Sequence, residues 1–238
     1  MASETFINYA HRGASSYQPE NTMPSFRMGV QMGANGIETD VQRTKDGILV
    51  LFHDDTILRV TGQPGRIRDY TYEELQQFDV QMYGLKGKIP KFQEFLEEFS
   101  DLDLTFAIEF KQDFTEKDTI DMLNRYGMRD KTILTSFKLD CLMRAALYDP
   151  AYRMGYLTND INEMTIRVMR TIGIGQACPQ GKIVTPELVS WLHGQGFSVR
   201  AWGIKNEDLM KKVYDAGVDG MTVNFPDKLT AYKSKTEE

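Results

Sequence analysis

The sequence predicts an α/β fold, a (β/α)8 barrel with a small insertion after the second strand region. Three observations carry that prediction. Short apolar runs alternate with longer amphipathic ones about eight times, the pattern of a parallel sheet covered by helices. The chain has 238 residues, and such barrels typically take about 250 as one unit. No linker or internal repeat divides it, so residues 1–238 are expected to form one domain, closed as a barrel rather than laid out as an open doubly wound sheet.

The elements follow in order. "FINYA" (6–10) reads as a strand, and "MPSFRMGVQMG" (23–33) as a helix with Met23, Phe26 and Val30 on one face. "GIETDV" (36–41) and "GILVLFH" (47–53) read as strands joined by "RTKDG", where Asp46-Gly47 makes the tight reversal. Residues 54–88 break the rhythm. They are polar, Gly-rich and long for a barrel loop, and read as an insertion beside the mouth. "IPKFQEFLEEF" (89–99) is helical by the spacing of Phe92, Phe95, Leu96 and Phe99. "LTFAIEF" (104–110) is the third barrel strand, and "EKDTIDMLNRYG" (116–127) a helix closed by Gly127. "TILTSF", "YRMGYL", "GQACP", "FSVRAWGI" and "VDGMTVNFP" supply the remaining strands, each followed by a helical stretch. The tail "KSKTEE" is expected to fray.

Composition narrows the function. At 41% hydrophobic and 26% charged the chain is ordinary globular material. A net charge of -6 argues against a nucleic-acid partner or an anionic membrane surface, both of which select a basic face. Cys141 and Cys178, the only cysteines, have no ligand-like spacing and cannot staple a fold of this size, which suits a reducing compartment. The N-terminus carries neither a basic leader nor an apolar core segment, and no run reaches the roughly 18 apolar residues of a membrane span. A cytoplasmic protein without stable membrane association is expected.

In a barrel, the C-terminal ends of the strands carry the chemistry. That rule delivers His11 and Arg12, Glu38 and Asp40, His53 and Asp54, Glu109 and Lys111, Ser136, and Trp202 to one face. Glu38 and Asp40 are two apart, so a pleated strand points both carboxylates the same way, and Glu109 with Lys111 repeats this one strand over. Three converging carboxylates repel one another unless a cation sits among them. An all-oxygen set favours Mg²⁺, Ca²⁺ or Mn²⁺ over zinc. With Arg12, Lys111 and a dication counted, such a site would be about +1, a match for a phosphodiester, whereas the bare site would be about -1. Two imidazoles beside it can serve as acid and base near neutral pH. Trp202 can wall a ligand. Asn21 or Thr22 reads as a cap for the helix near Met23, Ser136 as a cap for the next one, His193 as surface or packing, and Cys141 as core. Glu20 is placed to orient a ligand or a histidine.

"AHRGASSYQPENTMPSF", "GANGIETDVQRTKDGILVLFHDDTI", "IPKFQEFL", "FAIEFK" and "AGVDGMTVNFP" resemble the successive signature blocks of glycerophosphodiester phosphodiesterases, in order from about residue 7 to 229. The resemblance implies a metal-dependent TIM barrel that hydrolyses glycerophosphodiesters, such as glycerophosphocholine and glycerophosphoethanolamine, to sn-glycerol 3-phosphate and an alcohol. It implies Glu38, Asp40 and Glu109 as ligands of one divalent cation (Mg²⁺, Ca²⁺ or Mn²⁺) and His11 and His53 as the acid/base pair. Arg12 and Lys111 would hold phosphate oxygens, and Trp202 would pack against the glycerol. Two departures stand out: "WGIKN" where members often carry W-T-V-N, and "VNFP" where they carry T-D-Y-P. Both are expected to bear on substrate detail only. The competing readings are a phospholipid-cleaving lyase of the sphingomyelinase D type and a non-catalytic barrel that binds phosphate metabolites. The second is expected to lack a histidine or a metal carboxylate, and this chain lacks none.

Overall fold

The computed structural model describes residues 6–236. Strand β1 (Ile7–His11) leads through helix α1 (Met23–Gln31) to β2 (Gly36–Arg43), which turns back into a short β3 (Leu49–Leu51). Residues 54–88 then hold α2 (Leu58–Thr61), α3 (Tyr72–Leu75) and a ribbon of β4 (Val80–Met82) with β5 (Leu85–Gly87). The strand–helix alternation resumes with α4 (Phe92–Phe99), β6 (Thr105–Phe110), α5 (Glu116–Arg125), β7 (Thr132–Ser136), α6 (Leu139–Tyr148) and β8 (Arg153–Thr158). It runs on through α7 (Glu163–Ile172), β9 (Gln176–Pro179), α8 (Pro186–Gly194), β10 (Ser198–Ile204), α9 (Glu207–Asp215), β11 (Gly220–Val223) and α10 (Pro226–Thr236).

Strands β1, β2, β6, β7, β8, β9, β10 and β11 are parallel neighbours in that cyclic order, and the β1–β2 and β1–β11 pairings close the barrel. The eight staves are those read from the sequence. The ladder register sets the site: His11 lies beside Glu38, and Asp40 beside Glu109. Outside the staves the helices bury their apolar stripes in one continuous core. On α4, Phe92, Phe95, Leu96 and Phe99 are all buried. At about 25 cal/mol per Å² of apolar surface, each such side chain stabilises the fold by a few kcal/mol before entropy is counted.

The "GILVLFH" segment is a strand, but not a stave. β3 runs antiparallel to β2, pairing Val41 with Leu51 and Arg43 with Leu49. β2 overshoots the barrel rim, and the turn through Gly47 (φ +86°) sends the chain back down. The Phe52 N–H then donates to the Asp40 carbonyl at 2.9 Å, so His53 arrives level with the carboxylates from a returning hairpin. Residues 54–88 keep a small core of their own, in which Ile57, Ile67, Leu75 and Val80 pack with Val50 and Phe52.

The tail departs from its reading. Lys233–Thr236 continue α10 rather than fraying, while Glu237 and Glu238 lie outside the described residues. Met1–Thr5, on which the reading of the N-terminus partly rests, also lie outside them. Among the described residues no helix is long and apolar enough to cross a membrane.

Candidate active site

The chain leaves β1 through a strained turn. Arg12 (φ +53°) and Gly13 (φ +84°) are both left-handed, a conformation that costs a non-glycine residue about 1 kcal/mol or more. A Cβ on Gly13 would lie 2.3 Å from the Ser25 backbone, so only glycine fits there. The Arg12 carbonyl accepts from Asn21 N–H at 3.0 Å and from the Ser25 hydroxyl at 3.0 Å, which holds the turn against the start of α1. The guanidinium is thereby aimed back over the barrel, with Nε 3.3 Å from Asp40 Oδ2.

The carboxyl groups of Glu38, Asp40 and Glu109 are buried and offer oxygens within 4.8 Å of one another. Lys111 Nζ stands 2.6 Å from Glu109 and 3.4 Å from Asp40. Burial alone would raise the Asp40 carboxyl, but Lys111 and then Arg12 outweigh it and hold this acid below its ordinary range. Glu38 and Glu109 go the other way. Burial drives each up, and the Asp40 charge adds to the rise. Asp40 Oδ1 is buried without a hydrogen bond, its contact with Lys111 being too poorly aligned to count as one. An orphaned anionic oxygen beside two carboxyls driven toward protonation is the environment a hard dication completes. A second cluster, Glu20, His53 and Asp54, also lies within 4.8 Å. Its carboxylates are less buried and are engaged by Arg12 and Arg59.

Both imidazoles have one nitrogen spoken for. His11 Nδ1 lies 2.5 Å from Asn224 Oδ1, which can only accept, so Nδ1 is the donor and Nε2 is left bare, 3.9 Å from Glu38. His53 Nδ1 lies 2.6 Å from Asp54 Oδ1, an arrangement that fixes tautomer and ring orientation. His53 is close enough for its charge to act on Asp40 and Glu109. Trp202 donates from Nε1 to the Cys178 carbonyl at 3.0 Å, and the Phe137 ring meets it edge-on at 4.8 Å. Lys111 Nζ in turn lies 5.6 Å from the Phe137 ring. All eight residues singled out for the site thus stand at one mouth.

Several readings need correction. The "VNFP" departure was expected to touch substrate alone, yet its Asn224 orients His11. Thr22 caps α1, accepting from Ser25 N–H, but Asn21 reaches inward: its amide donates to Asp40 Oδ2 at 2.8 Å and its carbonyl accepts from Thr39 at 2.8 Å. Ser136 caps no helix; its hydroxyl donates to the Phe110 carbonyl and accepts from Lys138 N–H within a turn. Arg200 was missed altogether. It is 1% exposed inside the barrel and, among the described residues, its guanidinium donates to neutral groups alone, Thr222 at 2.8 Å and Gln176 at 3.2 Å, with Cys178 Sγ at 3.7 Å. Its charge acts on Glu38 from among the staves and adds one positive unit to the site. Arg59 was missed as well, an insertion residue that binds Asp54 and Glu20 together. His193, by contrast, pairs with Asp219 away from the mouth, and Cys141 is core.

A model of the Glycerophosphoryl diester phosphodiesterase family matches residues 11–228. A glycerophosphodiester phosphodiesterase of Bacillus altitudinis is 33% identical over 232 residues, spanning 92% of this chain and 95% of its own length. One from Caldanaerobacter subterraneus is 32% identical over 233 residues, spanning 92% and 94%. Among solved structures, an Oleispira antarctica phosphodiesterase in complex with the product sn-glycerol-3-phosphate superposes with a TM-score of 0.87 at 27% identity, covering 96% of each chain. The chain belongs to the glycerophosphoryl diester phosphodiesterase family and is an enzyme of that class.

Proposed function

We propose that the chain hydrolyses glycerophosphodiesters to sn-glycerol 3-phosphate and an alcohol, with Glu38, Asp40 and Glu109 holding one divalent cation and His11 and His53 moving protons. The observation that carries this reading is the buried triple carboxylate with its orphaned oxygen, set between Arg12 and Lys111 and flanked by two imidazoles with one nitrogen each pinned. Oxygen donors select Mg²⁺, Ca²⁺ or Mn²⁺. When bound, such an ion supplies Lewis acidity toward a nonbridging phosphate oxygen.

The residues do the rest. Arg12 and Lys111 stay charged, because the carboxylates around each outweigh its burial, and they stabilise negative charge gathering on the phosphoryl oxygens. One imidazole takes the proton of the attacking hydroxyl. The other gives a proton to the departing alkoxide, so the P–O bond that breaks leaves as a neutral alcohol. Phe137 and Trp202 form an aromatic wall against which the glycerol carbons pack. The whole chain acts as one domain, with residues 54–88 inserted at its mouth, and its two free, buried thiols suit a reducing cytoplasm.

The test is release of sn-glycerol 3-phosphate from glycerophosphocholine and glycerophosphoglycerol, before and after EDTA, with Mg²⁺, Ca²⁺ or Mn²⁺ restored in turn. Turnover that EDTA abolishes and a dication restores is expected. Turnover untouched by the chelator would remove the metal, and no turnover on any such diester would remove the activity.

A further inference from the structure

We infer that the leaving-alcohol side of this site is built for an alcohol that itself carries an anionic group, such as a second phosphate. The inference rests on the phosphodiesterase reading above and deepens it. A cavity of about 390 Å³ opens beside the carboxylate cluster and shares Lys111 with it. Arg43, Arg66, Arg68 and Lys138 also line it. Against these five cations stand two carboxylates, Asp55 and Asp113, in a chain whose net charge is -6. The cations are therefore gathered here against the composition of the whole protein.

Of the two lining carboxylates Asp113 is already engaged, which among the described residues leaves Asp55 as the free acid facing the arginines. Asp113 is bound by Lys138 and Arg144, each at 3.1 Å. Arg43 is turned to Asp118 at 2.9 Å. Arg66 and Arg68 are exposed, and among the described residues neither has a carboxylate within ion-pair distance. Two guanidinium groups without a protein anion, on the wall of a concave site, are solvated donors whose planar forks match phosphate oxygens. Concave walls also concentrate the field that draws such a ligand in.

The same cavity is poorly suited to choline. A quaternary ammonium is recognised by open aromatic faces and carboxylates. The aromatic ring exposed here, Phe114, is held at φ +65° and has the Arg144 guanidinium over it at 4.7 Å. A left-handed, exposed aromatic at a barrel mouth is the kind of strain that persists at working sites. With the glycerol assigned to the Phe137–Trp202 wall, the cationic cavity on the other side of Lys111 is assigned to the alcohol.

A matched pair of esters tests this. Glycerophosphoinositol and glycerophosphoinositol 4-phosphate differ only by a phosphate on the departing alcohol. For the unaltered enzyme kcat/KM is expected to be about tenfold higher for the phosphorylated ester at low salt, and the advantage to shrink as ionic strength rises. In the double variant R66Q/R68Q the ratio of the two rate constants is expected to fall to near one. Because the ratio is internal to each protein, a general loss of fold lowers both rates and leaves it where it was. A ratio at or below one in the unaltered enzyme overturns the inference, as does a ratio that R66Q/R68Q leaves unchanged. Turnover of neither ester, nor of glycerophosphoglycerol, overturns the phosphodiesterase reading itself, so the two failures are distinct.

Discussion

Arg59 binds Glu20 through both terminal nitrogens, at 2.9 and 2.6 Å. The same guanidinium reaches Asp54 from Nε at 2.6 Å, and Glu20 passes on to Arg12 at 2.9 Å. One exposed arginine of the insertion therefore ties the orienting acid of His53 to the side chain of Arg12. Residues 54–88 take part in the site through this link.

Arg59→Gln should therefore cost activity more than stability. The side chain is 51% exposed, so its ion pairs are screened and contribute about 1 kcal/mol to folding. Misplacing Arg12 and His53 together should lower kcat/KM by roughly 10²-fold. The stability part has a pH signature. The Glu20 and Asp54 carboxyls are both held below their ordinary values, because Arg59 and their other cationic or imidazole partners outweigh burial. A depressed acid stabilises the fold above its unfolded value and loses that contribution as pH falls. The gap in urea stability between the two proteins should thus be full near pH 6 and close below about pH 4. A gap that is flat or widens toward acid refutes the network.

Glu38 carries the opposite sign. Burial first, then Asp40 and Glu109, raise its carboxyl, so the folded metal-free protein keeps a proton that the unfolded chain gives up. Stability of EDTA-treated protein should fall as pH rises above the ordinary carboxylate range, and a dication should restore most at the alkaline end while releasing protons. Glu38→Gln removes the penalty. It should raise metal-free stability at pH 8 by about 1–2 kcal/mol and lower turnover by roughly three orders of magnitude. Thermal unfolding and calorimetric cation titration check both. A destabilised, still active Glu38→Gln protein would contradict the metal assignment.

Asn21 sits at φ +54°, a conformation asparagine tolerates, and it clamps Asp40 to Thr39. Asn21→Ala should leave two buried groups unpaired, costing about 1–3 kcal/mol, and weaken cation binding about 10- to 100-fold. Isothermal titration with Mg²⁺ and Ca²⁺ reads the second effect. Unchanged affinity would reduce Asn21 to a turn residue.

What the sequence made legible was whatever obeys a period. Glu38 and Asp40 alternate on one stave and Glu109 ends the next with Lys111 just beyond it, and two-residue spacing put each pair on one side. Arg59 obeys no period. It is one arginine in a polar loop; Asp54 lies five positions before it, but Glu20, thirty-nine positions away, is brought to it only by the tertiary fold. By type Asn21 is the better cap of the two, yet Thr22 caps α1 because Asn21 is drawn to Asp40, nineteen positions away. His53 reaches the mouth from the returning hairpin that the Asp46-Gly47 reversal predicts, β3 being antiparallel to β2 and not a stave. Arg200 did leave a signal: an arginine between Val199 and Ala201, in a run otherwise fit for burial, is costly unless something anionic lies near.

The identity of the nucleophile is the sharpest remaining prediction. His11 presents a bare Nε2 3.9 Å from Glu38, an acceptor at the mouth where the substrate's glycerol hydroxyls are proposed to bind. Attack by the substrate's own 2-hydroxyl forms the O2–P bond as the P–O bond to the alcohol breaks, and gives a cyclic phosphate that water later opens. That hydroxyl is already tethered to the phosphate, an advantage of several kcal/mol over free water. A diester of 2-deoxyglycerol should accordingly be turned over at least about 10³-fold more slowly than its parent, while still inhibiting it. In single-turnover reactions of the parent, phosphorus NMR should show a cyclic phosphate that accumulates and decays. Unimpaired turnover of the deoxy ester leaves water as the attacking group and excludes the cyclic route.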